Sequence, residues 1–310
     1  MSAHSTLCAS PRFSDESALG YMYRSLREND LALPWLRNRL GIRSDAFPQR
    51  KHHQVVVEVF GNCVGPDDLY EQIRGKAGGR IYRLNLTFRS QVRFRQPAIC
   101  PLCVYTNQYL RKSWDLTAST VCSKHACYLV DSCSWCDRKI SWARPWICTC
   151  TCGCPLGIEG DLARLASLDL MLAHWIDIKL QDGQESSIDV FRWLDLLEYG
   201  QAIYLLLAFG INERPYQSHR PSWASIRYSI PRFHEILNRG FLRFTDVMSS
   251  DERRYSKLES FVHEPALAKL AWSIDSPLRY TFIDQIYARI FKYNCPPSLC
   301  SNSAQLSFKF

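Results

Sequence analysis

Residues 122–136 read CSKHACYLVDSCSWC, four cysteines and one histidine in fifteen positions. Such a stretch is a disulfide framework, a redox pair or a set of metal ligands, and the choice sets compartment and fold. The chain carries fourteen cysteines, and ten lie between Cys100 and Cys154, with Cys8, Cys63, Cys295 and Cys300 well outside. The N-terminal MSAHSTLCASPRFSDES has no basic segment followed by an apolar one, so the expected address is the cytoplasm. Thiols stay reduced there, and clustered cysteines hold metal more often than they pair as disulfides.

The spacing sorts the block into four pieces: CPLC at 100–103, CSKH at 122–125, CSWC at 133–136 and CTCTCGC at 148–154. Two residues between donors let both point at one ion while the turn between them supplies N–H groups to the sulfurs. Zinc takes four such donors in a tetrahedron, and two paired knuckles supply them. Cys100, Cys103, Cys122 and His125 make a first set. Cys133 and Cys136 make a second with Cys150 and Cys152, because the CxCG sequence places Gly153 where a knuckle turn commonly needs positive φ. Cys148 and Cys154 remain alternatives for that second pair, and Cys127 is left over as a buried thiol. Four cysteines also suit an iron–sulfur cluster; the histidine favours zinc in the first set. Both sets are closed by four protein donors, which is the pattern of structural and not catalytic zinc, so two structural zinc ions are expected.

Around this block the 310 residues divide into 1–95, a helical region resembling a helix-turn-helix, 96–157, tandem zinc ribbons with short strands, and 158–310, a C-terminal helical domain. The expected fold class is therefore mainly α with a small β zinc-ribbon region. Ser14 and Asp15 are placed to cap a helix with apolar positions Leu19, Met22, Tyr23 and Leu26. Pro34 suits the first turn of a second helix with Trp35, Leu36 and Leu40. Val55–Phe60, a Gly61–Gly65 turn and a helix from Pro66 through Ile73 give the helix, glycine turn, helix outline. Residues 80–99 alternate only in part. Leu162, Leu165, Leu168, Leu172 and Trp175 share a helical face, and a long helix is expected over Ile188–Phe209 with Gly210 as its C-cap. Shorter helices are expected at Phe233–Asn238, Lys257–Ser273 and Tyr280–Tyr293. No apolar run is long enough to span a bilayer, so no membrane partner is expected.

Apolar content of 46% and charged content of 22% are ordinary for a globular chain. The net charge is +8, and ligating two zinc ions through seven thiolates would leave about +5. The basic excess clusters upstream of the cysteines, where Arg74, Lys76, Arg80, Arg83, Arg89, Arg93 and Arg95 face only Glu71. That strip is either a phosphate-contacting surface or an ordinary solvated one.

Enzyme signatures are absent. No histidine is followed two residues later by glutamate, which removes the zinc-deaminase pattern; His234-Glu235 and His263-Glu264 are the nearest misses. Gly75-Lys76 is followed by Ala77 and lacks the upstream glycine of a P-loop, and HExxH does not occur. The chain is expected not to be an enzyme.

The order of motifs resembles the TniQ family, the target-selection proteins of bacterial heteromeric transposons. The matching residues are Asp15-Glu16-Ser17-Ala18-Leu19, then Phe60-Gly61 with Asp68-Leu69, then Cys100-Pro101-x-Cys103, Trp114, Cys122-x-x-His125 with Leu129, Cys133-x-x-Cys136, and Cys150-x-Cys152-Gly153 with Leu156. The resemblance extends over about residues 13–210. It implies an adaptor without chemistry of its own, acting in the bacterial cytoplasm on the nucleoid. Such an adaptor links a target to an AAA+ ATPase regulator, which brings the transposase. The target is DNA read directly, or a CRISPR Cascade complex with its guide RNA, where the protein acts as a homodimer. A zinc-ribbon transcription regulator that binds DNA alone is the competing expectation.

Overall fold

In a computed structural model of the chain, the described residues are 7–8, 10–42, 48–74, 78–94, 96–156, 165, 170–181, 189–215, 229–249, 257–272, 274 and 277–292. About half of them are helical and a few form short strands. The chain falls into two compact units, Met1–Gln184 with Ala224–His234, and Glu185–Trp223 with Glu235–Phe310. Among the described residues no helix is long and apolar enough to cross a membrane.

The first unit opens with helix α1, Ala18–Glu28, which buries Leu19, Met22, Tyr23 and Leu26 as its spacing requires. Its N-cap is Ser17 and not Ser14 or Asp15: the Ser17 hydroxyl accepts from Gly20 N–H at 3.2 Å. Asp15 is committed elsewhere, accepting from Tyr109 Oη and Arg111 Nε, each at 2.9 Å. Helix α2, Leu33–Leu40, carries Pro34 in its first turn as expected and is capped by Gly41, whose φ of 63° is left-handed. Helix α3 spans His53–Phe60.

The expected helix from Pro66 to Ile73 does not form. Pro66–Asp68 is a single 3-10 turn, Leu69 is extended, and Glu71–Gln72 is strand β1. Tertiary partners claim the local groups: Asp68 accepts from Gly65 N–H at 2.9 Å and pairs with Arg12 at 2.5 Å, while Tyr70 C=O accepts from Arg50 N–H at 2.9 Å. Residues 55–73 are thus helix, turn and strand, and not a helix-turn-helix.

Strand β1 pairs antiparallel with β2, Gly79–Ile81, and β2 with β3, Leu84–Leu86. The β2–β3 turn puts Tyr82 and Arg83 at φ 50° and 63°, the doubly positive geometry that usually selects Asn-Gly. A bulky residue is held there because Tyr82 donates its N–H to Asp67 C=O at 2.6 Å and buries its ring. Helix α4, Pro101–Asn107, hairpin strands β4, Val121–Cys122, and β5, Cys127–Tyr128, and helix α5, Met171–Lys179, follow in this unit. Of the apolar face expected from Leu162 to Trp175, Leu162 and Leu168 lie outside the described residues, while Leu172 and Trp175 are buried on α5.

In the second unit the expected long helix is two: α6, Asp189–Asp195, and α7, Tyr199–Gly210. The break is at Glu198, which is extended and donates its N–H to Gln201 Oε1 at 3.2 Å, a helix-start arrangement. Helix α8, Ile230–Met248, contains the expected Phe233–Asn238 segment and is far longer; α9, Glu264–Trp272, and α10, Pro277–Phe291, follow. Gly210 is helical, not a left-handed cap. A Cβ there would lie 1.9 Å from Ile236 C=O, and one on Gly240 would lie 2.0 Å from Leu206 C=O, so the two glycines let α7 and α8 touch backbone to backbone. Arg239 and Arg243 then donate to the last α7 carbonyls, Gly210 C=O at 2.8 Å and Phe209 C=O at 2.7 Å.

Candidate metal centres

Three knuckles share one backbone device. Ala126 N–H donates to Cys122 C=O at 2.9 Å, Asp137 N–H to Cys133 C=O at 2.9 Å, and Gly153 N–H to Cys150 C=O at 3.0 Å. The residue after the second donor is left-handed each time, with φ of 50°, 54° and 88°. This turns the chain back so that both donors of a pair face one point. Gly153 was expected in that role; Ala126 and Asp137 were not, because neither residue type signals positive φ as glycine does. The fourth knuckle, Cys100–Cys103, is built on the start of α4: Cys100 is its N-cap and accepts from Cys103 N–H at 3.5 Å, with Pro101 in the first turn.

The folded chain gathers Cys100, Cys103, Cys122 and His125 so that their donor atoms lie within 4.8 Å of one another, and does the same for Cys133, Cys136, Cys150 and Cys152. In the first group His125 Nδ1 is 3.1 Å from Cys103 Sγ, 3.4 Å from Cys100 Sγ and 3.7 Å from Cys122 Sγ, and Cys103 Sγ is 3.7 Å from Cys122 Sγ. In the second, Cys133 Sγ is 3.9 Å from Cys152 Sγ and Cys136 Sγ 3.8 Å from Cys150 Sγ. A tetrahedron with metal–sulfur bonds of ~2.3 Å has sulfur–sulfur edges of roughly 3.8 Å. Both groups therefore have the size and donor set to hold a metal ion. Cys148 and Cys154 are half-buried and stand outside the second group, and Cys127 is buried beside the first.

Electrostatics point the same way. Hydrogen bonding from Cys103, then Cys122 and Cys127, holds the Cys100 thiol far below its ordinary value, and hydrogen bonding to Cys100 and Cys122 pushes Cys103 far above it. The crowded sulfurs cannot all ionise unless a cation joins them. Near the second group lies Arg144, 1% exposed, with no carboxylate against it among the described residues. It donates to Ser141 C=O at 2.9 Å and Ile147 C=O at 3.2 Å, and its ring-facing guanidinium lies 5.4 Å from both Tyr23 and Trp142. Burial lowers its pKa to about 10, and its charge interacts with Cys148 and Cys150. A buried cation without an acid is what an anionic four-thiolate metal centre would balance.

The first centre is fixed to α1 through the Asp15-Glu16-Ser17 turn. Ser17 N–H donates to Leu110 C=O at 2.7 Å and Lys112 N–H to Asp15 C=O at 2.7 Å. Arg111 links Asp15 to the knuckle, donating to Ser123 Oγ at 3.1 Å. Glu16, fully buried, pairs with Arg24 at 2.8 Å.

The basic strip does not form one surface. Arg74, Arg80, Arg83 and Arg89 are exposed on the small sheet and its flanks. Arg80 donates to Asn85 Oδ1 at 3.0 Å, Arg83 reaches Asp67 at 3.4 Å, and Arg89 lies 5.0 Å over the Phe94 ring. Arg93 turns inward and donates to Trp114, Leu116 and Thr117 carbonyls. Arg95 and Lys76 lie outside the described residues.

The protein is thus about half helical and presents two four-donor groups that could hold metal ions, the first of them tied to its first helix. Residues 11–129 match the TniQ family model, and the resemblance read from the sequence holds over this segment. The match takes in the Asp15-Glu16-Ser17 turn, the small sheet and the whole first donor group, and ends at Leu129, before Cys133. It implies a transposition-associated role in target selection and is consistent with a non-catalytic adaptor. No curated protein matches the chain.

Proposed function

We propose that this protein is a transposition target-selection adaptor whose two donor groups hold structural zinc as tandem ribbons. In this reading it links a target to an AAA+ ATPase regulator and so to the transposase. The observation that carries it is the coincidence of the TniQ match with the module in which the Asp15-Glu16-Ser17 turn is stitched to the first donor group. Zinc suits closed sets of thiolate and imidazole donors and brings no redox chemistry, only rigidity. Rigidity is what an adaptor needs, because exposed side chains then face partners in a fixed array. Tyr105, Trp135 and Trp146, 63%, 56% and 53% exposed, stand on or next to the knuckles and are anchors of the kind that protein partners bury. In this reading the exposed Arg74, Arg80, Arg83 and Arg89 contact phosphates of DNA or of an RNA-guided Cascade complex.

The test is affinity purification of the tagged full-length chain from its source cells, with and without DNA, with mass spectrometry of the retained proteins for an AAA+ ATPase. Retention of the ATPase, reduced by Trp135→Ala with Trp146→Ala, is the expected result. Tight binding to one promoter without any ATPase partner overturns the adaptor reading in favour of a transcription regulator.

A further inference from the structure

The first donor group has a fifth thiol against it. Cys127 is 1% exposed, and its Sγ lies 3.7 Å from Cys100 Sγ, the same separation as Cys103 Sγ from Cys122 Sγ. It is also the direct cross-strand partner of Cys122 in the β4–β5 hairpin. Directly opposed residues of an antiparallel pair point to the same face, with Cβ atoms about 4.5–5.5 Å apart. Cys122, His125 and Cys127 thus come from one tight hairpin, and Cys127 meets Cys100 of the α4 pair from just outside the four-donor group.

We propose that Cys127 is a reserve ligand of the first centre, able to take the fourth position in place of His125 and convert a three-thiolate, one-imidazole site into a four-thiolate site. The exchange breaks the metal–Nδ1 bond of His125 and forms a metal–Sγ bond to Cys127. The Cys127 proton leaves to water, His125 leaves as neutral imidazole, and no electrons move. The centre gains one negative charge. Arg111, which donates to Ser123 Oγ between the two hairpin donors and whose charge interacts with Cys122, lies where it offsets that charge. His125 is half-buried, whereas the four sulfurs around the centre are buried, so the imidazole is the ligand most easily withdrawn, for example by a partner docking on that side. The centre would keep its metal while its outer face is remodelled.

The inference rests on the reading that the first group holds a metal. The test loads the full-length chain with Co(II) alone and reads stoichiometry and the sulfur-to-cobalt absorption. Wild type should bind two ions per chain through seven cysteines. His125→Ala should still bind two, with the sulfur-to-cobalt band raised by about one part in seven as seven cobalt–sulfur bonds become eight, and His125→Ala with Cys127→Ser should bind one. Cys127→Ser alone should bind two with an unchanged spectrum. One ion per chain in His125→Ala, or two in the double variant, overturns the reserve-ligand role. Fewer than two in wild type instead removes the metal reading beneath it. His125→Asn, closer to the ring in shape, repeats the measurement if His125→Ala is insoluble.

Discussion

Ser17 and Asp115, ninety-eight positions apart, meet in the buried centre of the first unit: Ser17 Oγ donates to Asp115 Oδ2 at 2.7 Å. The same hydroxyl caps α1, and the same carboxylate oxygen accepts from Tyr82 Oη at 2.5 Å, whose oxygen in turn accepts from Ala18 N–H. One carboxylate therefore ties together the helix start, the left-handed β2–β3 turn and the segment just before the β4–β5 hairpin.

That carboxylate makes stability depend on pH. Burial raises the Asp115 pKa from the ordinary 3.8 to about 6, although hydrogen bonds from Tyr82 and Ser17 work against the rise. The folded state then holds a proton that the unfolded chain has lost. Its contribution is full below 3.8 and fades as pH rises through about 6. The shift corresponds to about 3 kcal/mol. Asp115→Asn keeps an acceptor for both donors but cannot titrate. Urea unfolding from about pH 4 to about pH 7 should show wild type losing this contribution relative to the variant. Parallel curves for the two proteins would refute the assignment.

Inward and outward arginines of the same stretch should behave oppositely. Arg93→Met strips donors from three carbonyls and should destabilise the fold by about 2–4 kcal/mol, read as a lower denaturant midpoint. Arg80→Glu with Arg89→Glu should leave stability within about 0.5 kcal/mol. That pair should weaken DNA binding and flatten its salt dependence by about one unit of slope per lost phosphate contact. A salt slope lowered by Arg93→Met in protein that is still folded would reverse the assignment.

Metal should leave in two phases under a chelator. Cys152 of the second group is exposed and Cys136 half-buried, whereas all three cysteines of the first group are buried. The fast phase should vanish in Cys133→Ser and the slow phase in Cys103→Ser, each releasing about one zinc per chain on purification. Cys103→Ser should also unfold its module, since metal binding there supplies folding free energy. Release of both ions at one rate would show that exposure does not govern loss.

In the second unit, Gly240→Ala should be severely destabilising. The added methyl meets the Leu206 carbonyl, which cannot swing aside as a side chain can, because it belongs to α7. A cost of about 3 kcal/mol or more is expected, at the upper end for overpacking. By contrast, Gly65→Ala meets only a side-chain oxygen at 3.6 Å and should cost less. Thermal unfolding of the two variants distinguishes contact from composition.

The donor groups were legible because ligand spacing is local chemistry: CPLC, CSKH, CSWC and CxCG each bring two donors together within one turn, whatever the rest of the chain does. The periodic helices α1 and α2 were legible for the same reason, since 3.6-residue spacing and a proline act over a few residues. The helix expected from Pro66, the cap at Ser17 and the inward turn of Arg93 were decided elsewhere, by Arg12, Leu110 and the carbonyls of 114–117. Backbone and charged groups take the partner that burial offers, and those partners lie tens of residues away. The tertiary structure likewise set Cys127 against Cys100 and α7 against α8 at Gly240. Ligand spacing by itself marked the candidate donors, in CSKHACYLVDSCSWC and in the CPLC and CTCTCGC pieces on either side; only folding set Cys150 and Cys152 against Cys133 and Cys136 and decided what those groups are fastened to and which spare thiol stands beside them.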